Sequence, residues 1–364
     1  MGPDVVIGGG PSGAAAACTL AAGGQRVLLL ERTAGPAQKV CGDFLSAGAL
    51  SSLSALGLDA ASLGAEPVGA MRLVLGSRRA EGRLPFRAAG LSRARLDEAL
   101  LARAAALGAE LQRGVSVRRL RDGAIETDRA GEIRPAAAFL ATGKHDLRGA
   151  RRRTEPGDLV GLKMYFDPHP AARADLRGFV EIALFRDGYA GLQLVEGGRL
   201  NLCALVRRRR LEECGGSWHR LLPALLAESP HLARRLADAR PCLERPLAVA
   251  GLPYGFVHRA AEGDASSVYR VGDQMGVIPS LAGDGIAIAL RTGRQAAADR
   301  LAGRGAAAYH RRLRRALIRP VGLAGVVHAL CLSRHQEWAV AASRAMPGLI
   351  GMLAAWTRSG AALR

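Results

Sequence analysis

The chain has 364 residues, which is enough for two domains, or for one large domain with an insertion, around a sizeable core. Its formal charge of +19 is compatible with a nucleic-acid or anionic-membrane partner. However, only three of the 51 basic residues are lysines, and aromatic residues make up 4% of the chain. A nucleic-acid surface usually interleaves basic and aromatic side chains, so we expect no nucleic-acid partner.

Cysteine usage and the N-terminal sequence bear on the cellular compartment. The six cysteines are scattered and form no CxxC pair, which predicts reduced thiols in a cytoplasmic protein. The run VVIGGGPSGAAAACTLAAGG is not interpreted as a targeting segment, because its preceding charge is the acidic Asp4 and its glycines have a functional spacing. No stretch reaches about 18 apolar residues, the length of a membrane-spanning helix. No metal site is predicted.

The first motif, DVVIGGGPSG, predicts a buried strand from Val5 to Ile7, a turn, and a helix from about Ser12 to Ala22. The GxGxxG spacing allows a tight turn, the close approach of a pyrophosphate, and close packing of helix on strand. The helix N-terminus favours phosphate, and the strand from Arg26 to Leu30 ends at Glu31, whose carboxylate can accept from a ribose diol. This motif predicts a dinucleotide site without separating NAD from FAD. Its residues are Gly8, Gly10, Pro11, Ser12, Gly13, Glu31 and Arg32.

A second motif lies in YRVGDQMGVIPSLAGDGIAIAL, residues 269–290. The acid at a strand end can accept from a ribityl hydroxyl, and the amides at the following helix N-terminus can face a ring carbonyl that gains negative charge on reduction. The proline fixes the turn, and the glycines keep side chains away from the ring. The residues assigned to this flavin cradle are Gly272, Asp273, Pro279, Gly283, Gly285 and Ile286.

Together these motifs resemble those of the FAD-dependent aromatic hydroxylases (class A flavoprotein monooxygenases) and geranylgeranyl reductases, over residues 1 to about 320. The helix SRARLDEAL also resembles the family's RxxLD helix, which implies that Arg93 lies near FAD; the alternative is a solvated charge at a helix start. The resemblance implies noncovalent FAD. Lys144, His145 and Asp146 replace the Asp-Gly pair of the hydroxylases, so the electron donor, NAD(P)H or an external one, stays open.

The predicted fold class is α/β: a Rossmann-like FAD-binding domain with an inserted antiparallel β-sheet substrate domain and C-terminal helices. Short β-rich runs fill residues 160–205, Gly197-Gly198 signals a hairpin, and Val68 to Leu84 adds an earlier strand. The predicted domains are FAD-binding over 1–67, 85–158 and 262–320, substrate-binding over 68–84 and 159–261, and a helical cap over 321–364.

The segment KVCGDFLS, residues 39–46, resembles the KxCG stretch of geranylgeranyl reductases, which lies beside the flavin ring. This makes Lys39 and Cys41 the candidate catalytic residues, against the alternative that the cysteine only fills space. His145 is a further candidate for orienting a proton transfer. The middle sheet lacks the tryptophans of flavin halogenases, which argues against halogenation and weakens isoprenoid reduction.

Three functions remain: a flavin monooxygenase of an apolar, phenolic or lipid-like small molecule, a flavin reductase of carbon–carbon double bonds, and a non-catalytic FAD-binding protein. We prefer the first. The C-terminal runs RPVGLAGVVHALC and MPGLIGMLAAW favour a helical cap; the alternative is a basic and apolar patch that contacts a membrane peripherally. No oligomeric state follows from the sequence.

Overall fold

The computed structural model describes residues 2–121, 123–129, 131–155, 157–260, 266–346 and 348–358. In these ranges the strands are β1 Asp4–Ile7, β2 Val27–Glu31, β3 Phe44–Leu45, β4 Glu66–Leu75, β5 Arg78–Gly90, β6 Glu110–Arg113, β7 Val117–Arg121, β8 Ala124–Thr127, β9 Glu132–Ile133, β10 Ala137–Leu140, β11 Leu159–Asp167, β12 Gly178–Phe185, β13 Gly188–Val195, β14 Arg199–Arg207, β15 Arg240–Pro241, β16 Leu247–Ala250 and β17 Val268–Arg270. The α-helices are α1 Pro11–Ala22, α2 Ala47–Ala55, α3 Arg93–Ala106, α4 Pro170–Leu176, α5 Arg208–Glu213, α6 Trp218–Glu228, α7 Pro230–Leu236, α8 Gly285–Leu301, α9 Ala306–Leu332, α10 Gln336–Ala345 and α11 Leu349–Trp356.

A five-stranded parallel sheet of order β17-β10-β1-β2-β6 forms the first layer. The strands β1, β2 and β10 are short, mainly apolar runs that are buried along their whole length, as expected where both faces of a sheet are covered. Val6 and Phe139 point into a core shared with α1, α3, α8 and α9. Val5 and Leu140 point to the opposite face, which packs against the small sheet β7-β8-β9. This is the predicted Rossmann-like unit, with α1 starting directly behind the central strand.

A nine-stranded sheet forms the second unit, with order β15-β11-β14-β13-β12-β4-β5-β3 and β16 paired beside β11. The single strand predicted over 68–84 is wrong, because a turn at Gly76 (φ 59°) divides the segment into β4 and β5. The sheet is mostly antiparallel, but β4 and β12 pair in parallel. The hairpin predicted at Gly197-Gly198 is confirmed between β13 and β14.

Two of the predicted domain boundaries, at residues 84 and 262, can be compared with the positions of the strands and of the described residues. β5 crosses the proposed boundary at residue 84 and continues to Gly90, and the proposed boundary at residue 262 lies outside the described residues. One face of the nine-stranded sheet is covered by α4, α6 and α7. Parts of the other face pack against α9, α10 and α11. The division into domains stays a prediction.

The C-terminal helices differ from the prediction of two separate short apolar runs. The basic run and the first apolar run form one helix of 27 residues, α9, which continues through Pro320. In the part of the chain that is described, this helix alone is long and apolar enough to cross a membrane, or two segments qualify if the bent pair α10–α11 is taken as one. Leu313, Leu317 and Val321 of α9 are nevertheless buried in the core of the Rossmann-like unit.

Candidate active site

The turn between β1 and α1 is shaped by close backbone contacts. Gly8 has φ 106°, and a β-carbon there would lie 2.6 Å from the Ala141 carbonyl oxygen. A β-carbon on Gly13 would lie 1.9 Å from the Gly8 carbonyl oxygen, so any side chain at this position would prevent the helix from packing on the turn. Gly10 is the N-cap of α1, and Pro11 and Ser12 begin the helix. The Ser12 and Gly13 amides, in the first turn of α1, have no intrahelical acceptor and can approach a phosphate closely.

Glu31 lies at the end of β2, buried beside the glycine turn. Its Oε2 accepts from the Gly9 amide at 2.6 Å, and its Oε1 accepts from the amide and hydroxyl of Thr33 at 2.9 and 2.7 Å. Burial alone would raise the pKa of this carboxyl, but the donors on Thr33 and Gly9 lower it, so the group is a charged acceptor at neutral pH. Lone pairs remain for a ribose diol. Arg32 is exposed, with Nη2 2.9 Å from His145 Nε2.

Arg93 is not a solvated helix-start charge. Its guanidinium forms a two-point contact with the carboxylate of Asp97 at 2.9 and 2.8 Å, and its Nη2 would be 3.4 Å from a β-carbon on Gly10. Burial alone would lower the pKa of Arg93, but the adjacent Asp97 raises it, so the side chain stays cationic. Ser92 accepts from the Arg95 amide and caps α3, which fixes Arg93 in the first turn of the helix. A positive charge is thus held at the glycine turn.

The second motif packs directly on the first. Gly272 has φ 59°, and a β-carbon there would lie 2.6 Å from the Ser12 hydroxyl oxygen. Its amide donates to Thr292 Oγ1 of α8 at 2.8 Å. Asp273 follows in a half-buried position, and among the described residues no hydrogen bond to its carboxylate is found; only its carbonyl is engaged, by Arg152 at 3.3 Å. An acceptor is therefore available beside the glycine turn.

The predicted flavin cradle consists of a short turn and the start of α8. Pro279 precedes a 3-10 turn over Ser280–Ala282, Gly283 reverses the chain, and α8 begins at Gly285. A β-carbon on Gly285 would meet nothing within 4 Å, whereas Asp284 accepts from the Ser46 hydroxyl at 2.8 Å. The amides of Gly285 and Ile286 belong to the first turn of the helix, where no intrahelical acceptor exists. The open face of this helix end suits an electron-rich ring carbonyl.

The segment containing the two catalytic candidates is held by the nine-stranded sheet. Lys163 of β11 is fully buried; its Nζ donates to Asp43 Oδ2 at 2.7 Å and to the Lys39 carbonyl at 3.1 Å. The Tyr165 hydroxyl donates to the same carboxylate oxygen at 2.5 Å. Burial raises the pKa of Asp43, while the lysine opposes this effect. A lysine in the apolar run VGLKMYF thus has a positioning role.

Two further strands of the sheet hold the backbone next to these residues. Gln193 Nε2 of β13 donates to the Gly42 carbonyl at 2.8 Å, and Asn201 Nδ2 of β14 donates to the Cys41 carbonyl at 3.3 Å. The Cys41 thiol accepts from the Asp43 amide at 3.4 Å. Cys41 is half-buried. The path of residues 39–43 is therefore fixed by side chains from three strands.

A mainly apolar cavity of about 440 Å³ lies between the nine-stranded sheet and α9–α11. Gly42, Phe44 and residues 280–283 line it beside the flavin cradle, and Gln193 lines it from the sheet. Gln193 is 2% exposed, and its Oε1 has no hydrogen-bond partner among the described residues. Lys39 and Cys41 are not lining residues, although the intervening Gly42 is. Their chemical roles stay predictions.

The structure brings both sets of predicted cofactor residues together and adds others. His145 lies beside Arg32 and does not line the cavity. Its pKa is lowered, mainly by burial and also by the positive charge of Arg32. Residues not predicted from the sequence include Lys163, Gln193 and Arg358, which donates to the Gly283 carbonyl at 2.9 Å. The polar residues inside apolar strands, in VGLKMYF and YAGLQLV, were the available signal for the first two.

The arrangement fits FAD. The glycine turn with Glu31 suits an ADP half, and the free acceptor at Asp273 follows Gly272, which contacts Ser12 of that turn. The open helix end at Gly285 suits the ring. In agreement, residues 3–134, about a third of the chain, match a family model described as FAD binding domain. No curated protein sequence matches the chain.

Solved structures with a similar fold include three flavoproteins. The flavin-dependent brominase Bmp2 is 16% identical with a TM-score of 0.81, covering 100% of this chain and 95% of that one. A flavoprotein/dehydrogenase from Cytophaga hutchinsonii is 16% identical with a TM-score of 0.74, covering 98% and 96%. Halogenase PltM in complex with phloroglucinol and FAD is 14% identical with a TM-score of 0.71, covering 92% and 78%.

At these identities the likeness establishes the fold, and the predicted α/β class with its inserted sheet and C-terminal helices is confirmed. The predicted cofactor is confirmed by the FAD binding domain. The resemblance to the aromatic-hydroxylase type of flavoprotein is likewise confirmed. Residues 3–134 thus match an FAD binding domain, and the chain as a whole has the fold of these flavoproteins.

Proposed function

We propose that this protein is an FAD-dependent monooxygenase that acts on an apolar, phenolic or lipid-like small molecule. The observation that carries the proposal is the apolar cavity of about 440 Å³, one end of which is lined by Gly42, Phe44 and Gly283 at the flavin cradle. A cavity of this size and lining takes a mainly apolar small molecule and keeps water away from it. A reaction that is sensitive to water is therefore supported here.

Bound FAD, once reduced by a donor, supplies electrons and activates dioxygen. The chain's own residues do the rest. Residues 280–283 and the loop 39–43, clamped by Lys163 and Gln193, bound the end of the cavity where the reacting carbon would lie. In the proposed reaction one oxygen atom enters a C–H bond of the substrate and the other leaves as water, with two electrons and two protons from the donor.

Gln193 gives the cavity a polar contact at its flavin end. Its Nε2 is already used by the Gly42 carbonyl, which leaves the buried Oε1 as a free acceptor. A buried acceptor without a partner costs about 1–3 kcal/mol, and a substrate hydroxyl would remove that cost by donating to it. We therefore propose a substrate with a hydroxyl at one end and an apolar remainder. The phloroglucinol complex of the similarly folded PltM supports a phenolic ring as that end.

The deciding experiment follows the oxygen atoms. FAD-loaded protein is reduced without air, mixed with a long-chain 4-alkylphenol, and exposed to ¹⁸O₂; mass spectrometry then measures label in the product. One labelled oxygen per product is expected, and labelled water with unlabelled O₂ serves as the control. Product formed equally well without oxygen would replace this proposal by the double-bond reductase, for which an isoprenoid alcohol is assayed in parallel. A brominated product in added bromide would replace it by a halogenase.

A further inference from the structure

The C-terminal helices carry most of the large apolar side chains that the described residues expose. Eight such side chains stand out, and seven of them lie in or beside α9–α11, the exception being Leu301. The seven are Ile318, Val326, Leu330, Trp338, Met346, Met352 and Trp356, and we refer to them as the C-terminal apolar surface. Single exposed apolar residues are ordinary, but their concentration on one part of a protein indicates a partner.

Part of this surface is also the rim of the substrate cavity. Val326, Leu330 and Trp338 line the cavity and are at the same time 68%, 39% and 66% exposed. Side chains that line a cavity and are also exposed to solvent mark the opening, or mouth, of that cavity. The cavity therefore extends from the flavin cradle to a mouth between α9 and α10, and the mouth lies within the C-terminal apolar surface.

The charge around this surface is strongly positive. Residues 306–358 contain eight arginines and a single acid, Glu337, which pairs with Arg78 at 3.5 Å. Six of these arginines form no salt bridge with another described residue: Arg311, Arg314, Arg315, Arg319, Arg334 and Arg344. Arg312 and Arg358 pair with Asp299 and Asp284, whereas Arg314 donates a hydrogen bond to the Val257 carbonyl. Unpaired cations beside exposed tryptophans are typical of segments that lie at an anionic lipid surface.

The orientation of α9 in the fold indicates whether this helix would lie on a membrane surface or cross the membrane. Arg315, Ile318, Arg319 and Val326 follow one another at helical spacing on the exposed face. The opposite face is anchored in the core of the Rossmann-like unit. A helix held in this way along its length is not free to insert across a bilayer, although its length would suffice. Basic and apolar side chains on one exposed face fit an interfacial contact.

We propose that the C-terminal apolar surface docks on an anionic lipid layer and turns the mouth of the substrate cavity toward the lipid. Apolar side chains would enter the layer, the surrounding arginines would contact lipid headgroups, and an apolar substrate would pass from the layer into the cavity without crossing water. The assignment of the mouth as a substrate entrance rests on the proposed function; the docking itself does not.

The test uses FAD-loaded full-length protein and vesicles of phosphatidylcholine, with or without phosphatidylglycerol. Flotation with the anionic vesicles at low salt and release as salt rises are expected, because screening weakens the contacts of the arginines. The variant Met352→Ser/Trp356→Ser, whose residues do not line the cavity, should lower the bound fraction at least about tenfold, because the strength of interfacial binding scales with the buried apolar area. Leu301→Ser is the matched control on another part of the molecule and should float like wild type. Retained flavin confirms that each variant is folded.

Quenching by brominated lipids locates the mouth. In Trp356→Phe protein the remaining tryptophans are Trp338 at the rim and Trp218, which is 8% exposed on the opposite face of the sheet. Quenching of this protein by anionic brominated vesicles, lost in the further variant Trp338→Phe, is the expected result. The proposal is overturned if wild type ignores anionic vesicles at low salt, or if sedimentation reveals a dimer that the Met352→Ser/Trp356→Ser change dissociates. Neither readout depends on turnover, so failure of oxygen incorporation leaves the docking result intact.

Discussion

Gly272 and Ser12 are in such close contact that a β-carbon on the glycine would lie 2.6 Å from the serine hydroxyl oxygen. Ser12 belongs to the first turn of α1, and Gly272 opens the second flavin-binding motif. The contact therefore joins the part of the site assigned to the ADP half to the part assigned to the ribityl chain and ring. The effect of this contact on flavin binding can be measured separately from the strain that a side chain would cause at the positive φ of Gly272.

Gly272→Ala should destabilise the protein and weaken FAD binding, since the added methyl group displaces α1 from the second motif. Gly76→Ala is the matched control: Gly76 has the same φ of 59°, but a β-carbon there meets nothing within 4 Å. The control should cost roughly 1–2 kcal/mol from the left-handed backbone alone. Chemical denaturation and flavin titration of both variants measure the difference. Equal losses of stability and unchanged FAD affinity would show that the contact is not tight.

Asp273→Ala should weaken FAD binding by about 1–3 kcal/mol, because a ribityl hydroxyl would lose its acceptor in a half-buried position. Flavin fluorescence during titration of the apoprotein gives the dissociation constant. Asp59→Ala, which removes an exposed carboxylate after α2, should leave that constant unchanged. An Asp273→Ala protein that binds FAD like wild type would place the ribityl chain elsewhere.

Gln193→Leu should abolish discrimination between an alkylphenol and the alkylbenzene of the same chain length. In wild type the phenol should bind roughly tenfold more tightly, as expected for one hydrogen bond to a buried acceptor of about 1–1.5 kcal/mol. Changes in flavin absorbance on titration report binding of either ligand. Since the side chain also holds Gly42, both ligands are expected to bind more weakly. Only the ratio between them tests the hydroxyl contact, and a ratio that survives the change contradicts it.

Cys41→Ser should loosen the coupling of oxygen uptake to product, because the cysteine supports the loop that bounds the reacting end of the cavity. More hydrogen peroxide per product is expected while oxygen uptake continues. Cys242→Ser, at an exposed cysteine, is the control. Oxygen, peroxide and product are measured together under one reductant. A fall in turnover of about 10²–10⁴-fold, with flavin reduction intact, would instead identify the thiol as a proton donor of the reductase reaction.

A buried cluster on the nine-stranded sheet predicts a pH dependence of stability. Glu181 is fully buried and contacts Arg72 at 2.9 Å, Arg235 at 2.6 Å and His231 at 2.8 Å. Burial alone would raise the pKa of Glu181, but His231 and Arg235 lower it from 4.5 to about 2. A carboxyl with a depressed pKa adds stability that is fully present above pH 4.5 and is lost as pH falls toward 2.

The depressed pKa of Glu181 corresponds to a stabilisation of the folded protein of roughly 3 kcal/mol at neutral pH. The difference in unfolding free energy between wild type and Glu181→Gln should therefore shrink from about pH 6 to about pH 3, as measured by urea denaturation. Burial also lowers the pKa of His310 to about 3 and of His328 to about 4, so both forms lose stability in acid. Comparing the unfolding free energies of wild type and Glu181→Gln at each pH removes the loss that both proteins share. A constant difference across the range would contradict the assignment to Glu181.

The parts of the site that a local pattern encodes were predictable. The GxGxxG turn, Glu31 at the strand end and the glycines around α8 follow from backbone geometry within a few residues. Residues 68–84 suggest one strand because the turn at Gly76 is short and the flanking residues alternate without a strong apolar pattern. Likewise the sequence of α9 suggests a break because a proline and a change from basic to apolar composition interrupt the run, although the buried face continues through both.

The residues that hold the loop 39–43 were not predictable from the sequence. Lys163 and Asp43 are 120 positions apart, and their contact depends on the register of β11 beneath the loop. A buried lysine in a strand signals that some acceptor must lie nearby, but not which one. Gln193 shares this property. Cys41 and Lys39 follow from resemblance and stay predictions, since Gly42 of the same loop lines the cavity and they do not.

The contact of Arg358 with the Gly283 carbonyl has a consequence for the order in which parts of the site can form during synthesis. Gly8, at the opposite end of the same site, precedes this arginine by 350 positions. During synthesis the glycine turn, both sheets and α8 leave the ribosome while the last helices are still to come, and N-terminal units tend to fold first. The flavin cradle thus stays without its final support until residue 358 emerges. FAD that binds earlier meets a site still open on the cavity side, so the cofactor could act as a template on which α9–α11 close.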